Sequence, residues 1–199
     1  MILNLVLVTF IIGSSLILLE WATIFFHIPK PLSRKIAHVG NSLLIVSLSF
    51  LFDWQVFIYI GVIFFCILLA LRLYRPLKSL SDRSRESIGE IVFPLGIAAA
   101  AFICQTHLDF TVAVLILGVS DTIAFYVGNS FKSRTLLFNK TLLGSTGFFL
   151  SVFIICLFAT SPLNSLMIAL SLAFVEIVSP KGLDNLSVPG VAALLLIVL

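Results

Sequence analysis

Acidic residues inside apolar segments are the first residues of this sequence that could do chemistry. Glu20, Glu90, Asp121 and Glu176 lie within or at the end of such segments. A carboxylate at the centre of a bilayer costs roughly 2.5–3.5 kcal/mol on insertion scales, so each one needs a partner or a function. Acids that converge beside basic residues suit a Mg²⁺–phosphate site, because carboxylate oxygens bind the hard cation while Lys and Arg neutralise phosphate.

Acids in apolar segments also fit two roles that involve no phosphate. The carboxylates could serve only as ion-pair partners of interfacial Lys and Arg residues. They could also form an ion-transport site, which is expected nearer the middle of the membrane. The acids of this chain lie beside basic loops, which favours an anionic, water-soluble substrate.

A glycine-rich helix start follows Asp121 in the sequence. Gly118, Asp121, Ala124 and Gly128 recur at steps of three and four, a pattern of small residues that lets helices approach closely. After a basic loop comes Lys140-Thr141-Leu142-Leu143-Gly144-Ser145. Such a helix start is expected to expose unpaired backbone N–H groups and the positive end of the helix dipole, which attract anions.

The elements that must position these residues are membrane helices. Of the 199 residues, 60% are hydrophobic and 11% are charged, which is too apolar for a soluble domain of this size. The composition predicts an all-α, polytopic membrane helical bundle that forms one domain over residues 1–199. Apolar runs of bilayer length predict eight segments, at residues 2–26, 36–52, 55–74, 88–104, 110–127, 144–160, 163–178 and 188–199. The last segment is the shortest, at about 18 Å.

The basic residues predict the orientation of the bundle. All 12 Lys and Arg residues lie in or beside the first, third, fifth and seventh connections. The positive-inside rule places these connections in the cytoplasm and both termini outside, so the acids lie toward the cytoplasmic ends of their helices. The longest basic loop, residues 75–87, is predicted to orient the protein, with binding to anionic lipid headgroups as the alternative.

Composition also limits the partners and the covalent chemistry. The formal net charge of +3 gives no reason to expect nucleic-acid binding. The three cysteines (Cys66, Cys104 and Cys156) lie in different apolar runs without a CxxC pair, so they are predicted to be packing residues rather than disulfide or zinc ligands.

Four blocks of residues carry a family resemblance. In chain order they are Arg34-Lys35-Ile36-Ala37-His38; Gly89-Glu90-Ile91-Val92-Phe93-Pro94; Asp121 with Ala124, Gly128 and Lys140-Thr141-Leu142-Leu143-Gly144-Ser145; and Glu176 followed by Asp184-Asn185-Leu186-Ser187-Val188-Pro189. Together they resemble the CTP-dependent polyprenol kinase family, which includes phytol, farnesol and dolichol kinases and a diacylglycerol kinase. The chain departs from the family pattern at Leu143, where the family has Glu, at Ser120, where Gly is usual, and at Asn129 and Lys132, where the family has Arg and Gly.

The resemblance implies a membrane kinase that transfers the γ-phosphoryl group of CTP to an isoprenoid alcohol or a related lipid hydroxyl. It implies that Asp121 and Glu176, with Asp184 or Glu90, bind Mg²⁺. Lys140 would neutralise the triphosphate, and Glu90 or His38 would place or deprotonate the alcohol. The implied catalytic residues are therefore Asp121, Lys140, Glu90 and His38, and the implied nucleotide-binding residues are Lys132, Arg134, Thr141, Gly144, Ser145 and Asn185.

Two alternative functions remain open on the sequence. Membrane CTP:phosphatidate cytidylyltransferases have a similar Asp…Lys-Thr-x-Glu-Gly-Ser stretch. They end, however, in a His-Gly-Gly…Asp-Arg-x-Asp signature, where this chain has Lys181-Gly182-Leu183-Asp184-Asn185. A transporter or a catalytically inactive scaffold is the third hypothesis, because Leu143 removes one expected carboxylate.

Overall fold

The computed structural model describes residues 2–74 and 87–199, and these residues confirm the all-helical prediction. Within them, the only β pairing is a single bridge between Thr135 and Thr141. Most of the predicted long basic loop, residues 75–86, lies outside the described residues. The described helices are α1 Ile2–Phe25, α2 Lys30–Ser49, α3 Val56–Tyr74, α4 Gly89–Ile103, α5 His107–Ser130, α6 Leu142–Cys156, α7 Pro162–Val178 and α8 Asp184–Val198.

Each helix overlaps one predicted apolar run, but two begin four or more residues earlier than the sequence indicated. Helix α2 begins at Lys30, because Pro31 fits the first turn, where its missing N–H group needs no partner. Helix α8 begins at Asp184 and has 15 residues, so the prediction of a shorter last segment was wrong. Pro189 lies inside α8 without ending it.

Length and composition support a membrane environment. Among the described helices, three are long and apolar enough to cross a membrane: α1, residues Val56–Leu73 of α3, and α5. Helices α4, α6, α7 and α8 are apolar but have only 15 to 17 residues, about 22–26 Å at the helical rise. Eight crossings and the placement of the termini therefore stay predictions.

The core lies where small and aromatic side chains meet between helices. The rings of Phe57 in α3 and Phe110 in α5 stack with their centroids 5.6 Å apart, and both residues are fully buried. Ala113 and Ala169 are also fully buried, which lets the helix backbones approach closely. By contrast, α1 exposes most of its large apolar side chains, as expected of a helix that faces lipid.

The cysteines are unpaired. Cys104 and Cys156 are buried in the core, as the sequence predicted. Cys66 is exposed on α3, so its predicted packing role was wrong.

Close packing of α4 against α8 depends on a proline and a glycine. Pro189 has no N–H group, so the carbonyl oxygen of Asn185, one turn earlier in α8, loses its helical hydrogen bond. Gly96 of α4 lies against that oxygen, and a Cβ atom on Gly96 would collide with it. The side chain of Asn185 completes the contact, because its Nδ2 donates to the carbonyl oxygen of Gly89 at 2.9 Å.

Helix α5 contains a π-helical turn, Ile116–Ser120, directly before Asp121. Such turns are rare and occur frequently at functional sites. Gly118, within the turn, packs so closely against Ser42 of α2 that a Cβ atom would collide with the Ser42 side chain. The π turn therefore lies where α5 packs against α2, directly before Asp121.

Candidate functional site

A cavity of about 230 Å³ lies where α2, α5, α6 and α7 meet. It combines two lysines, Lys35 and Lys140, with two acids, Asp121 and Glu176. The sequence had placed Asp121, Lys140 and Glu176 in one site, and the structure brings them together. The remaining lining residues are Ala124, Phe125, Gly128, Asn129, Asn139, Thr141, Gly144 and Ser145.

Asp121 is held by a lysine from a neighbouring helix. The ammonium nitrogen of Lys35 in α2 lies 2.5 Å from Asp121 Oδ2 and 5.1 Å from the centroid of the Phe125 ring. Asp121 and Phe125 are four residues apart and so share one face of α5. The ammonium group therefore contacts both a carboxylate and an aromatic ring, each of which favours its charge.

His38 lies beside the same carboxylate. Its Nδ1 is 3.6 Å from Asp121 Oδ2, which is too long for a hydrogen bond. Within the described residues, this buried nitrogen has no hydrogen-bond partner, while the ring packs on Phe93 at 4.5 Å between centroids. His38 is therefore placed to accept a proton from, or donate one to, a group that binds next to Asp121.

Lys140 connects two acids from different helices. Its Nζ lies 2.5 Å from Glu176 Oε1 and 2.6 Å from Asp184 Oδ2. The other oxygen of Glu176 accepts a hydrogen bond from Ser145 Oγ at 3.1 Å, and Glu176 is only 3% exposed. Burial alone would lower the pKa of Lys140, but the carboxylates of Asp184 and Glu176 outweigh it and hold that pKa above its ordinary value.

The start of α6 differs from the sequence prediction. The backbone N–H groups of Leu142, Leu143 and Gly144 donate to Arg134 O, Ser133 Oγ and Thr141 Oγ1 at distances of 2.9, 3.2 and 3.2 Å. The prediction that this helix start presents unpaired N–H groups was therefore wrong, because the preceding loop folds back onto it. Among the described residues, the positive groups that face the cavity are the ammonium groups of Lys35 and Lys140.

Two glycines that line the cavity bring α5 and α6 together. A Cβ atom on Gly144 would lie 2.8 Å from Thr141 Oγ1 and 3.0 Å from the carbonyl oxygen of Ala124. A Cβ atom on Gly128 would lie 2.7 Å from the same Thr141 oxygen. The Gly and Ser residues that the sequence assigned to an anion site thus also set the spacing of the two helices.

A second, very small cavity adjoins the first. It is lined by Asp121, Glu176, Asp184 and Asn185, together with three apolar residues, and its volume of about 10 Å³ is close to the minimum for one water molecule. These oxygen donors match those that Mg²⁺ prefers. Among the described residues, no group of three or more His, Cys, Asp or Glu side chains is arranged to hold a metal ion. With only one or two of these carboxylates as ligands, a Mg²⁺ ion would need phosphate and water to complete its coordination.

Other predicted site residues lie apart from the cavity. Glu90 forms an ion pair with Arg34, and neither residue is among those that line the two cavities. Lys132 and Arg134 are exposed and do not line them either. Glu20 lies in α1, likewise outside the lining.

Sequence reasoning missed three polar residues that line the cavity: Lys35, Asn129 and Asn139. Lys35 could have been found from its spacing, because Lys35 and His38 are three residues apart and share one face of a helix. No comparable signal marked Asn139, which follows a residue with positive φ and itself has φ of 63°.

No family model matches the chain, and no curated protein or solved structure matches it. The fold and the site define an all-helical protein with three described helices able to cross a membrane and a cavity of paired lysines and acids. The resemblance to polyprenol kinases rests on the four residue blocks.

Proposed function

We propose that this protein is a membrane kinase that transfers the γ-phosphoryl group of CTP to the hydroxyl of an isoprenoid alcohol or a related lipid. The observation that supports this function is the cavity in which Lys35 and Lys140 meet Asp121 and Glu176. Phosphoryl transfer needs little covalent help from the protein, but it needs alignment and neutralisation of charge. The ammonium groups of Lys35 and Lys140 would supply part of that neutralisation.

The size of the cavity suits the charged part of a nucleotide. At about 230 Å³, it is smaller than the ~300–1,000 Å³ of sites that enclose a whole drug-sized ligand. The triphosphate would lie within it, next to Lys140. The exposed amides of Asn129 and Asn139 are then available to the ribose or the base.

The remaining roles follow from position. Mg²⁺ would be held by one or two of the carboxylates of Asp121, Glu176 and Asp184, together with phosphate and water, and would neutralise phosphate charge. The alcohol would approach from the lipid with its hydroxyl next to Asp121. The unpartnered Nδ1 of His38 would receive the proton of that hydroxyl as the oxygen attacks phosphorus. On the positive-inside rule, this site faces the cytoplasm of a multi-pass protein.

An assay with CTP labelled on its γ-phosphate tests the proposal. The purified protein in detergent is incubated with Mg²⁺ and, separately, with phytol, farnesol, geranylgeraniol, dolichol and diacylglycerol. We expect labelled lipid phosphate and CDP, and we expect both to be lost in Asp121→Asn, whose side chain has nearly the same shape but no charge.

Product identity separates the alternatives. Release of pyrophosphate with phosphatidate as acceptor would instead identify a cytidylyltransferase. Absence of CTP·Mg²⁺ binding would favour a transporter or an inactive scaffold. Full activity of Asp121→Asn would exclude Asp121 as a metal ligand.

A further inference from the structure

Most helix–helix contacts near the site are closed by backbone. In three of them a glycine lies directly against a carbonyl oxygen of the neighbouring helix: Gly61 of α3 against Pro94 of α4, Gly96 of α4 against Asn185 of α8, and Gly144 of α6 against Ala124 of α5. Contacts of this kind cannot open unless whole helices move apart, because no side chain stands between the two backbones.

Helices α2 and α4 meet through long side chains instead. No Cα atom of α2 lies within 8 Å of a Cα atom of α4, and both helices are described over their full length. Arg34 forms an ion pair with Glu90, and the ring centroid of His38 lies 4.5 Å from that of Phe93. We call this contact the α2–α4 seam. Because side chains can rotate while helices stay in place, the seam can open more easily than the glycine contacts.

Helices α1 and α3 leave the seam uncovered at the end that carries Arg34 and Glu90. No residue of α1 is buried after Ile12, and no residue of α3 is buried from Cys66 to Leu73. The side chains of Arg34 and Glu90 are themselves 35% and 28% exposed. Both α1 and α3 are apolar enough to cross a membrane, so the seam faces lipid between them.

The inner end of the seam is polar and lacks a partner. His38 is 8% exposed, and within the described part of the chain its Nδ1 has no hydrogen-bond partner. This nitrogen lies 3.6 Å from Asp121 Oδ2. A buried polar atom without a partner is costly, and a hydroxyl group placed there would satisfy it. The hydrocarbon chain of a lipid alcohol would stay out of water only if the molecule reached this point sideways from the lipid.

The seam therefore joins lipid to an unsatisfied polar atom beside Asp121. We propose that the lipid alcohol enters through the α2–α4 seam, and that the Arg34–Glu90 ion pair is a gate that must open for it to pass. The hydroxyl then lies at His38, and the first part of the chain lies against Phe93. The inference rests on the proposed function for the identity of the ligand. It gives Glu90 a role other than contact with the hydroxyl, the role that the resemblance implies.

Photolabelling locates the alcohol without any need for catalysis. The probe is a farnesol analogue with a diazirine near its hydroxyl, bound to the protein in phosphatidylcholine nanodiscs, and the labelled residues are mapped by mass spectrometry. We expect label in α2 and α4 around His38 and Phe93. Excess farnesol should remove this label, whereas the same hydrocarbon without a hydroxyl should not. Label that farnesol removes from other helices, or no label that it removes, would overturn the inference.

Variants that break the ion pair test the gate. Arg34→Gln and Glu90→Gln should each lower the probe concentration for half-maximal labelling, by up to about fivefold, because a half-exposed ion pair no longer favours the closed state. Asp53→Asn is the control, since Asp53 is exposed in the connection between α2 and α3. If Glu90 held the hydroxyl, Glu90→Gln would instead raise that concentration. A rise, or no change, in both variants would overturn the gate.

A reversible bridge tests the gate within one folded protein. Arg34→Cys with Glu90→Cys, in a Cys66→Ala background, is joined by a bifunctional methanethiosulfonate, because Cα atoms more than 8 Å apart are too distant for a direct disulfide. We expect the bridge to abolish specific labelling and reduction to restore it. The control disulfide, Thr23→Cys with Ser33→Cys, ties α1 to α2, where the native hydroxyl oxygens are 2.8 Å apart, and should leave labelling unchanged. Full labelling of the bridged protein would overturn the inference.

Phosphorylation assays separate this inference from the proposed function. Specific labelling of the seam without phosphorylation of any lipid alcohol would support the entry path and reject the kinase. Phosphorylation of an alcohol that labels other helices would support the kinase and reject the entry path.

Discussion

Replacement of Lys140 by methionine should destabilise the protein markedly, because the acids that it pairs with lie in different helices. Methionine keeps most of the length of the side chain but removes the charge. Within the described part of the chain, Glu176, whose side chain is 4% exposed, then keeps only its hydrogen bond from Ser145. Removing one partner of a buried ion pair typically costs about 3–5 kcal/mol, since the other charge stays buried and unpaired.

The exposure of the partners sets the expected size of the effect. The Lys140 side chain is 22% exposed and that of Asp184 is 14% exposed, so water reaches part of the cluster. We therefore expect the lower end, about 3 kcal/mol, which lowers the melting temperature by roughly 6–12 °C for a chain of this size.

A double variant isolates the cause. Glu176→Gln keeps an oxygen that can accept from Ser145 and removes the charge that Lys140→Met leaves unpaired. Lys140→Met with Glu176→Gln should therefore be more stable than Lys140→Met alone, which is a strong coupling between neighbours. Lys35→Met is the matched control, because its partner Asp121 is 22% exposed and should lose less when unpaired.

The assay is thermal unfolding in one detergent, without divalent cations, followed by circular dichroism. Two results would refute the reasoning. One is a loss in Lys140→Met no larger than that in Lys35→Met. The other is a double variant that loses the sum of its single losses, since additivity would mean that the unpaired Glu176 charge is not the cause.

Three further predictions concern glycine spacing and the charge of Lys140. Gly144→Ala should weaken CTP binding, because the new Cβ meets the backbone of α5 at 3.0 Å; unchanged affinity by calorimetry would show that the helices separate freely. Gly96→Ala should lower the melting temperature, because the new Cβ atom collides with α8. Gly190→Ala, whose Cβ atom would meet nothing within 4 Å, should instead raise helix stability by roughly 0.5–1 kcal/mol. Equal shifts of the melting temperature in the two variants would contradict the packing argument. The pKa of Lys140 is raised in the folded protein, so the stabilisation by its charge is complete below the ordinary lysine pKa of 10.5 and is lost only as pH rises through the higher folded pKa. The difference in stability between the unsubstituted protein and Lys140→Met should therefore be constant from about pH 7 to 10. A decline of that difference within this range would argue against the raised pKa.

Helix positions were largely predictable from the sequence because apolar runs are long and separated by polar connections. The exceptions have local causes. Lys30 and Pro31 looked like a connection, yet proline fits the first turn of α2. The turn before Pro189 looked like a loop, yet the packing of Gly96 on the Asn185 carbonyl makes the proline tolerable inside α8.

The candidate site was predictable only where its residues were unusual for a membrane helix. Asp121 and Glu176 stood out as acids among apolar neighbours, and Lys140 stood beside a Gly-rich start. The partner of Asp121 was missed because cations were sought along its own helix, whereas Lys35 reaches it from α2. The pairing of the first N–H groups of α6 was also unpredictable, because it depends on the path of the loop that carries Ser133.

The π turn in α5 affects the Lys35–Asp121 ion pair differently from the ion pairs of Lys140. A π turn holds one residue more than regular α-helical geometry requires, and its loss would rotate the part of α5 after Ser120 by about 100° about the helix axis. Asp121 would then swing away from Lys35 on α2. Lys140, Glu176 and Asp184 belong to other elements. The Lys35–Asp121 ion pair is thus tied directly to the winding of α5, whereas the ion pairs of Lys140 depend on it only through the packing of Gly128 and Gly144.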